Sequence, residues 1–213
     1  MANFTGLNPK EAESQIDDFW CQATRLGQDF YRAATEFYVT LFNYWCSPKA
    51  EEFGNMHLRD LMFIWIKIDN MANEIGDKAT LAYNAIASAN GLPGIDTTGL
   101  GEYITEPEGS FKLYSSFEDG SVGMDHKVVQ KCIDYIEEKR KVLVDGLNNL
   151  PLDIAFFDPD DAQKTAYRGI ITKTIETING IVDDVIGTLK SALETEIQVV
   201  IASSQSASEE LKG

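Results

Sequence analysis

Apolar residues recur at steps of three and four along four long stretches of the chain, the spacing of helices that each turn one face to a core. The first stretch, 8–44, carries Phe19, Ala23, Leu26, Phe30, Ala33, Phe37, Leu41 and Tyr44. A second stripe of Trp20, Tyr31, Ala34, Tyr38 and Phe42 lies beside it. An apolar surface that wide predicts more than one packing neighbour. The second stretch, 47–90, carries Leu61, Ile64, Ile68, Met71 and Ile75, then Ala82, Ala85 and Ala89, and stops at Asn90-Gly91 and Pro93-Gly94. The third starts near Asp125 with Val129, Ile133, Ile136, Leu143, Leu147 and Leu150. Arg140 interrupts its stripe and Pro151 ends it. The fourth, from Asp158 to about Ile201, carries Ile171, Ile175, Ile178, Val182, Val185, Leu189, Ala192, Glu196 and Val199. Its steps alternate four and three, which predicts a heptad-type seam. Gly169, Gly180 and Gly187 share another face, read either as exposed positions or as a close approach of a second helix. The tail 202–213 is polar and Ser-rich and is expected to fray.

Three of the stretches open on a polar cap followed by proline: Asn8-Pro9, Ser47-Pro48 and Asp158-Pro159. The cap side chain accepts an orphan N–H, and proline has none to leave unpaired in the first turn. Between the second and third stretches lies a connector, 91–124, with five glycines between Gly91 and Gly109. Within it, residues 103–105 and 111–114 flank Glu-Pro-Glu-Gly-Ser and read as a small β-hairpin. The expected fold is therefore all-α: an elongated antiparallel four-helix bundle made of two helical hairpins, 8–90 and 125–201, with a small β-hairpin in the connector.

The two hairpins look like a repeat. Tyr44-Trp45-Cys46-Ser47-Pro48 and Phe156-Phe157-Asp158-Pro159 both place large aromatics before a polar cap and a proline. The cap–proline pairs lie 111 residues apart, whereas the apolar stripes match better at 114, so the register of the repeat is open at this level.

Composition narrows the function. With Lys+Arg 18 against Asp+Glu 34, the formal charge is -16, which repels phosphate backbones and argues against a nucleic-acid partner. The longest apolar run, 61–66, is far too short for a bilayer, and no stable membrane insertion is expected. The first residues have neither a basic start nor an apolar core, so no cleaved signal peptide is expected. Cys21, Cys46 and Cys132 lie in or beside apolar stripes and read as small core residues. His57 and His126 have no partner at metal-ligand spacing, and no dinucleotide loop, phosphate loop or nucleophile-elbow motif is present. Asp158, Asp160 and Asp161 lack the turn glycine and bidentate Glu of a calcium loop and read as helix-start residues. Catalytic, cofactor and metal sites are thus all expected to be absent.

The segment Leu-Phe-Asn-Tyr-Trp-Cys-Ser-Pro-Lys-Ala-Glu-Glu-Phe around the first turn resembles the Trp-Xaa-Gly family of type VII secretion substrates, with Trp45, Ser47, Ala50 and Phe53 on the family pattern. Ser47 stands where the family most often has glycine, and the second turn departs further, with Phe156 or Phe157 for Trp and Asp158 for Gly. The resemblance covers residues 10–90 well and 125–200 weakly. It implies two family-type hairpins fused into one chain, and a recognition role for Trp45, Ser47 and Phe53. It also implies export without a cleaved signal peptide, the protein otherwise being cytoplasmic. The family's export signal, a Tyr followed four places on by an acid, has a counterpart in Tyr114 and Glu118. The partners implied are a secretion ATPase or another secreted helical protein, with a second copy of the chain as a further candidate. The alternative function is a helical pore-forming or membrane-active toxin component whose connector inserts. A di-iron enzyme needs paired Glu or Glu-x-x-His facing inward, and the stripes carry only Glu196.

Overall fold

In the computed structural model, residues 8–96, 101–107, 123–152 and 162–211 are described. The chain is all-α, with helices α1 (Pro9–Tyr44), α2 (Pro48–Phe53), α3 (Arg59–Ala89), α4 (His126–Asn148) and α5 (Ala162–Glu210). A π-helical turn, Gly54–Leu58, joins α2 to α3 without a break in the helical path. Two short strands, β1 (Trp45–Cys46) and β2 (Gly123–Met124), pair antiparallel with Trp45 opposite Met124. This is the small β element of the fold, but only its second strand falls in the connector. Residues 103–105 form no strand, and residues 111–114 lie outside the described residues.

The start signals act as their chemistry requires. Asn8 Oδ1 accepts from Lys10 N–H at 3.1 Å, Ser47 Oγ from Ala50 N–H at 3.0 Å, and Asp125 Oδ1 from Lys127 N–H at 3.0 Å. The stop at Asn90-Gly91 is a left-handed turn: Gly91 has φ +65°, and Leu92 N–H reaches back to the Ala87 carbonyl at 2.9 Å. Asp158-Pro159 lies outside the described residues.

The chain divides into two compact units, each drawing on all four long helices. Unit 1 comprises Met1–Gln28, Trp65–Glu106 and Val144–Gly180, and unit 2 comprises Asp29–Ile64, Pro107–Leu143 and Ile181–Gly213. The core of unit 1 includes Ile16, Phe19, Ile75, Tyr83, Leu147, Ile171 and Ile175. That of unit 2 includes Phe37, Leu41, Leu61, Ile64, Ile133, Ile136, Val182 and Leu189. Gly146 in unit 1 marks a tight helix approach, since a Cβ there would come within 2.5 Å of Leu26 Cδ2. A Cβ at Gly169, Gly180 or Gly187 would meet nothing within 4 Å, so none marks a close helix approach; Gly169 and Gly180 are exposed and Gly187 is half-buried.

The buried stripes depart from the heptad in an orderly way. On α4 every stripe position is buried as predicted: Val129, Ile133, Ile136, Leu143, Leu147 and Leu150. On α5 the seam does not follow sevens. The buried residues are Tyr167, Ile171, Ile175, Ile178, Val182, Ile186, Leu189, Leu193 and Ile197. Residues 171, 182 and 193 are eleven apart, as are 175, 186 and 197. An eleven-residue repeat is 3.67 residues per turn, close to the helix's own 3.6, so the seam stays on one face without overwinding. The sevens therefore overshoot: Val185, Ala192 and Glu196 are half-buried and Val199 is exposed. On α3 the same drift buries Ala79, Tyr83 and Ala87 in place of Ala82, Ala85 and Ala89. Tyr44, the last stripe residue of α1, is also exposed.

These burial patterns are compatible with the offset of 114 at which the apolar stripes match. Leu61, Ile64, Ile68, Ala72, Ile75, Ala79 and Tyr83 of α3 correspond at an offset of 114 to Ile175, Ile178, Val182, Ile186, Leu189, Leu193 and Ile197 of α5, and all are buried. The chain after Ala202 continues as helix to Glu210, with every residue from 202 to 211 exposed. Residues 203–210 include neither Gly nor Pro, and Ser203 and Ser204 turn their hydroxyls back onto the Val199 and Val200 carbonyls at 2.8 and 2.9 Å.

Candidate functional site: the aromatic turn and the amide-held connector

The turn that carries the Trp-Xaa-Gly-like residues lies in unit 2. Trp45 is 3% exposed. It stacks on Phe42 with ring centroids 6.4 Å apart, and tilts against Phe53 at 5.2 Å. Phe53 in turn meets His57, in the π turn, at 4.9 Å. Ala50 is buried where the opening turn of α2 closes on this stack. The main chain of the turn pairs with β2, and Asp125 N–H donates to the Tyr44 carbonyl at 2.9 Å. The structure thus brings Trp45, Ser47 and Phe53 together, with two of the three in the core and Ser47 as the cap of α2. Burial lowers the His57 pKa, with Asp60 opposing.

Unit 1 contains a second arrangement, one that the apolar stripes did not reveal. Connector residues lie along α3 and are held by its side-chain amides. Asn84 Nδ2 donates to the Ile95 carbonyl at 2.9 Å, and its Oδ1 accepts from Ile95 N–H at 2.7 Å. Asn70 makes the same two bonds to Ile104, both at 2.8 Å. Asn73 is buried; its Nδ2 donates to the Glu102 carbonyl at 3.3 Å, while its Oδ1 accepts from the Trp20 indole N–H at 2.6 Å. Lys67 pairs with Glu106 at 2.6 Å, and the Tyr103 hydroxyl donates to Asp77 at 3.0 Å. Burial, then the Asp77 bond and charge, pushes the Tyr103 hydroxyl up to about 12. Glycine is needed at 101, because a Cβ would sit 3.0 Å from Asn73 Oδ1 and 3.2 Å from Trp20 Cζ2. The signal was available in the sequence: Lys67, Asn70, Asn73, Asp77 and Asn84 stand at helical steps and form a polar stripe.

A groove of about 270 Å³ in unit 2 runs between α1 and α4 past Phe37, Val128 and Cys132, under the bond from the Tyr135 hydroxyl to Glu36. Burial holds the Cys132 thiol up at about 11, so it is not a thiolate nucleophile at neutral pH. Cys21 is exposed rather than a core residue, Cys46 is half-buried, and none of the three cysteines is in a disulfide. Arg140, the charged residue inside the α4 stripe, is half-buried and pairs with Asp183 at 2.6 Å and Glu137 at 3.4 Å. Glu196 pairs with Lys49 at 3.7 Å instead of facing the core. Among the described residues, the buried polar side chains are Thr24 and Asn73, and no group of three or more His, Cys, Asp or Glu could hold a metal ion. No helix among them is long and apolar enough to cross a membrane. Tyr114, Glu118, Phe156, Phe157, Asp158, Asp160 and Asp161 lie outside the described residues. Comparisons of the chain with family models, with curated proteins and with solved structures return no match.

Proposed function

We propose that the chain is a non-enzymatic helical protein that acts through protein–protein recognition and is exported by, or serves, a type VII secretion system. The observation that supports this reading is the coincidence of sequence pattern and turn. Trp45, Ser47, Ala50 and Phe53, the residues on the Trp-Xaa-Gly pattern, are those that close the tight turn between two long helices. The matched burial of α3 and α5 at an offset of 114 fits a fusion of two such hairpins. In this reading Trp45 and Phe53 shape the turn from inside, and contacts to a secretion ATPase or to a second helical protein fall on residues around them. Tyr114 and Glu118 are the proposed export signal. The test is secretion of the tagged full chain from a bacterium with an active type VII system, beside an isogenic strain without the export ATPase. Export that needs the ATPase and falls with Tyr114→Ala is the expected result. Equal release from both strains overturns the reading.

A further inference from the structure

The connector is bound to α3 in a manner that reads main chain rather than side chains. Asn84 and Asn70 each give both amide atoms to the N–H and C=O of one connector residue, the two-point pairing that a neighbouring β-strand would offer. The spacing suits an extended peptide. Connector residues 102, 104 and 106 meet helix residues 73, 70 and 67, so two residues of connector match three of helix. Two extended residues span about 6.6 Å and three helical residues rise about 4.5 Å, so an extended chain keeps this register when it crosses the helix axis at about 47°. Tyr103 and Thr105 are exposed and Ile104 is half-buried, so little of the segment's apolar surface contributes to the hold. Side-chain contacts to the segment come from Asp77, which takes a hydroxyl at 103, and Lys67, which takes a carboxylate at 106.

We infer that this face of α3 is a receptor for an extended peptide, which the chain fills with its own connector. A partner's extended peptide can take the same place if it has a tyrosine one position before the clamped residue and a carboxylate two positions after it. A simple tether would need one anchor. Asn73 and Asn70 meet the connector at the step of an extended chain, and with Asn84 at Ile95 they make a reusable main-chain site. The inference does not depend on the export reading, since it rests on unit 1 alone.

The test uses the full chain carrying Ile104→Pro, which removes the N–H that Asn70 accepts, and a labelled, end-blocked peptide of residues 101–107 as the probe. Hydrogen exchange should show residues 102–106 released while the helices stay protected, and the peptide should bind saturably. Methylating the peptide nitrogen at Ile104 should weaken binding about tenfold or more, because one bond is lost and an acceptor is left unpaired. Replacing the isoleucine side chain by leucine should change binding less than about threefold, since the clamp reads main chain. The wild-type chain should bind more weakly, because its own connector is present at high effective concentration. Two results overturn the inference: no binding to a released site, or equal binding of the methylated peptide. Unchanged exchange in Ile104→Pro also overturns it, by showing that the Asn70 bonds do not hold the segment. Should that variant not fold, Asn70→Leu, which keeps the connector intact, must still speed exchange at 102–106.

Discussion

Gly123 and Met124 are held in unit 2 by main-chain pairing to a turn backed by Phe42, Trp45 and Phe53, whereas residues 102–106 are held in unit 1 by polar side chains of α3, Asn70 and Asn73 among them, with little apolar surface buried. These two described parts of the connector illustrate two ways of fixing a segment that lies outside the helices. At the turn, large rings leave water together, so the gain is shared among many contacts and its loss should spread through the core of the unit. On α3 the gain is a set of separate hydrogen bonds, each worth about 0.5–1.5 kcal/mol net, and its loss should remain local.

Trp45→Ala should have the largest effect, costing about 3–5 kcal/mol through the cavity it opens between Phe42 and Phe53. Thermal or urea unfolding measures it; a melting point within a degree or two of wild type would mean that the turn is not held from inside. Asn73→Leu comes next, at about 1–3 kcal/mol, because it leaves the Trp20 indole N–H without its acceptor and the Glu102 carbonyl without its donor. Hydrogen exchange should place this loss in residues 101–106 first; a uniform loss across the helices would break the contrast between local and shared holds. Tyr103→Phe removes one exposed hydroxyl bond to Asp77 and should cost under about 1.5 kcal/mol. The smallest expected effect is the pH dependence of His57. Its folded pKa is lowered by burial, so its contribution is complete above the ordinary histidine value of 6.5 and is lost as the pH falls through that value toward the folded pKa. His57→Asn should therefore flatten the melting-point curve slightly between pH 7 and 5, and an identical slope would remove His57 from the account.

Much of the architecture was legible in the sequence. The caps Asn8 and Ser47, the stop at Gly91 and the whole α4 stripe follow from local chemistry that tertiary contacts do not alter. The differences on α3 and α5 have one physical source. Ile171, Ile175, Ile178 and Val182 satisfy a seven-residue and an eleven-residue repeat alike, and only beyond Val182 do the two separate, toward Val185 or toward Ile186. Ile75 is the same fork on α3. Residues 103–105 form no strand because β-propensity does not name a partner, and here Ile104 pairs with the Asn70 side chain rather than with a strand. The polar stripe that includes Asn70 went unread because polar residues at helical spacing look like a solvated face until a segment is found lying on them.

The asparagine hold also has a bearing on ionic strength. In a chain of formal charge -16, fastening a loop by ion pairs would make it sensitive to salt, because exposed charges are screened over about 8 Å in physiological solution. Asn70, Asn73 and Asn84 are neutral, and so are the peptide groups they grip; Lys67 with Glu106 is the charged exception. Passage from dilute buffer to concentrated brine should weaken one contact of that row and leave the amide pairs in place.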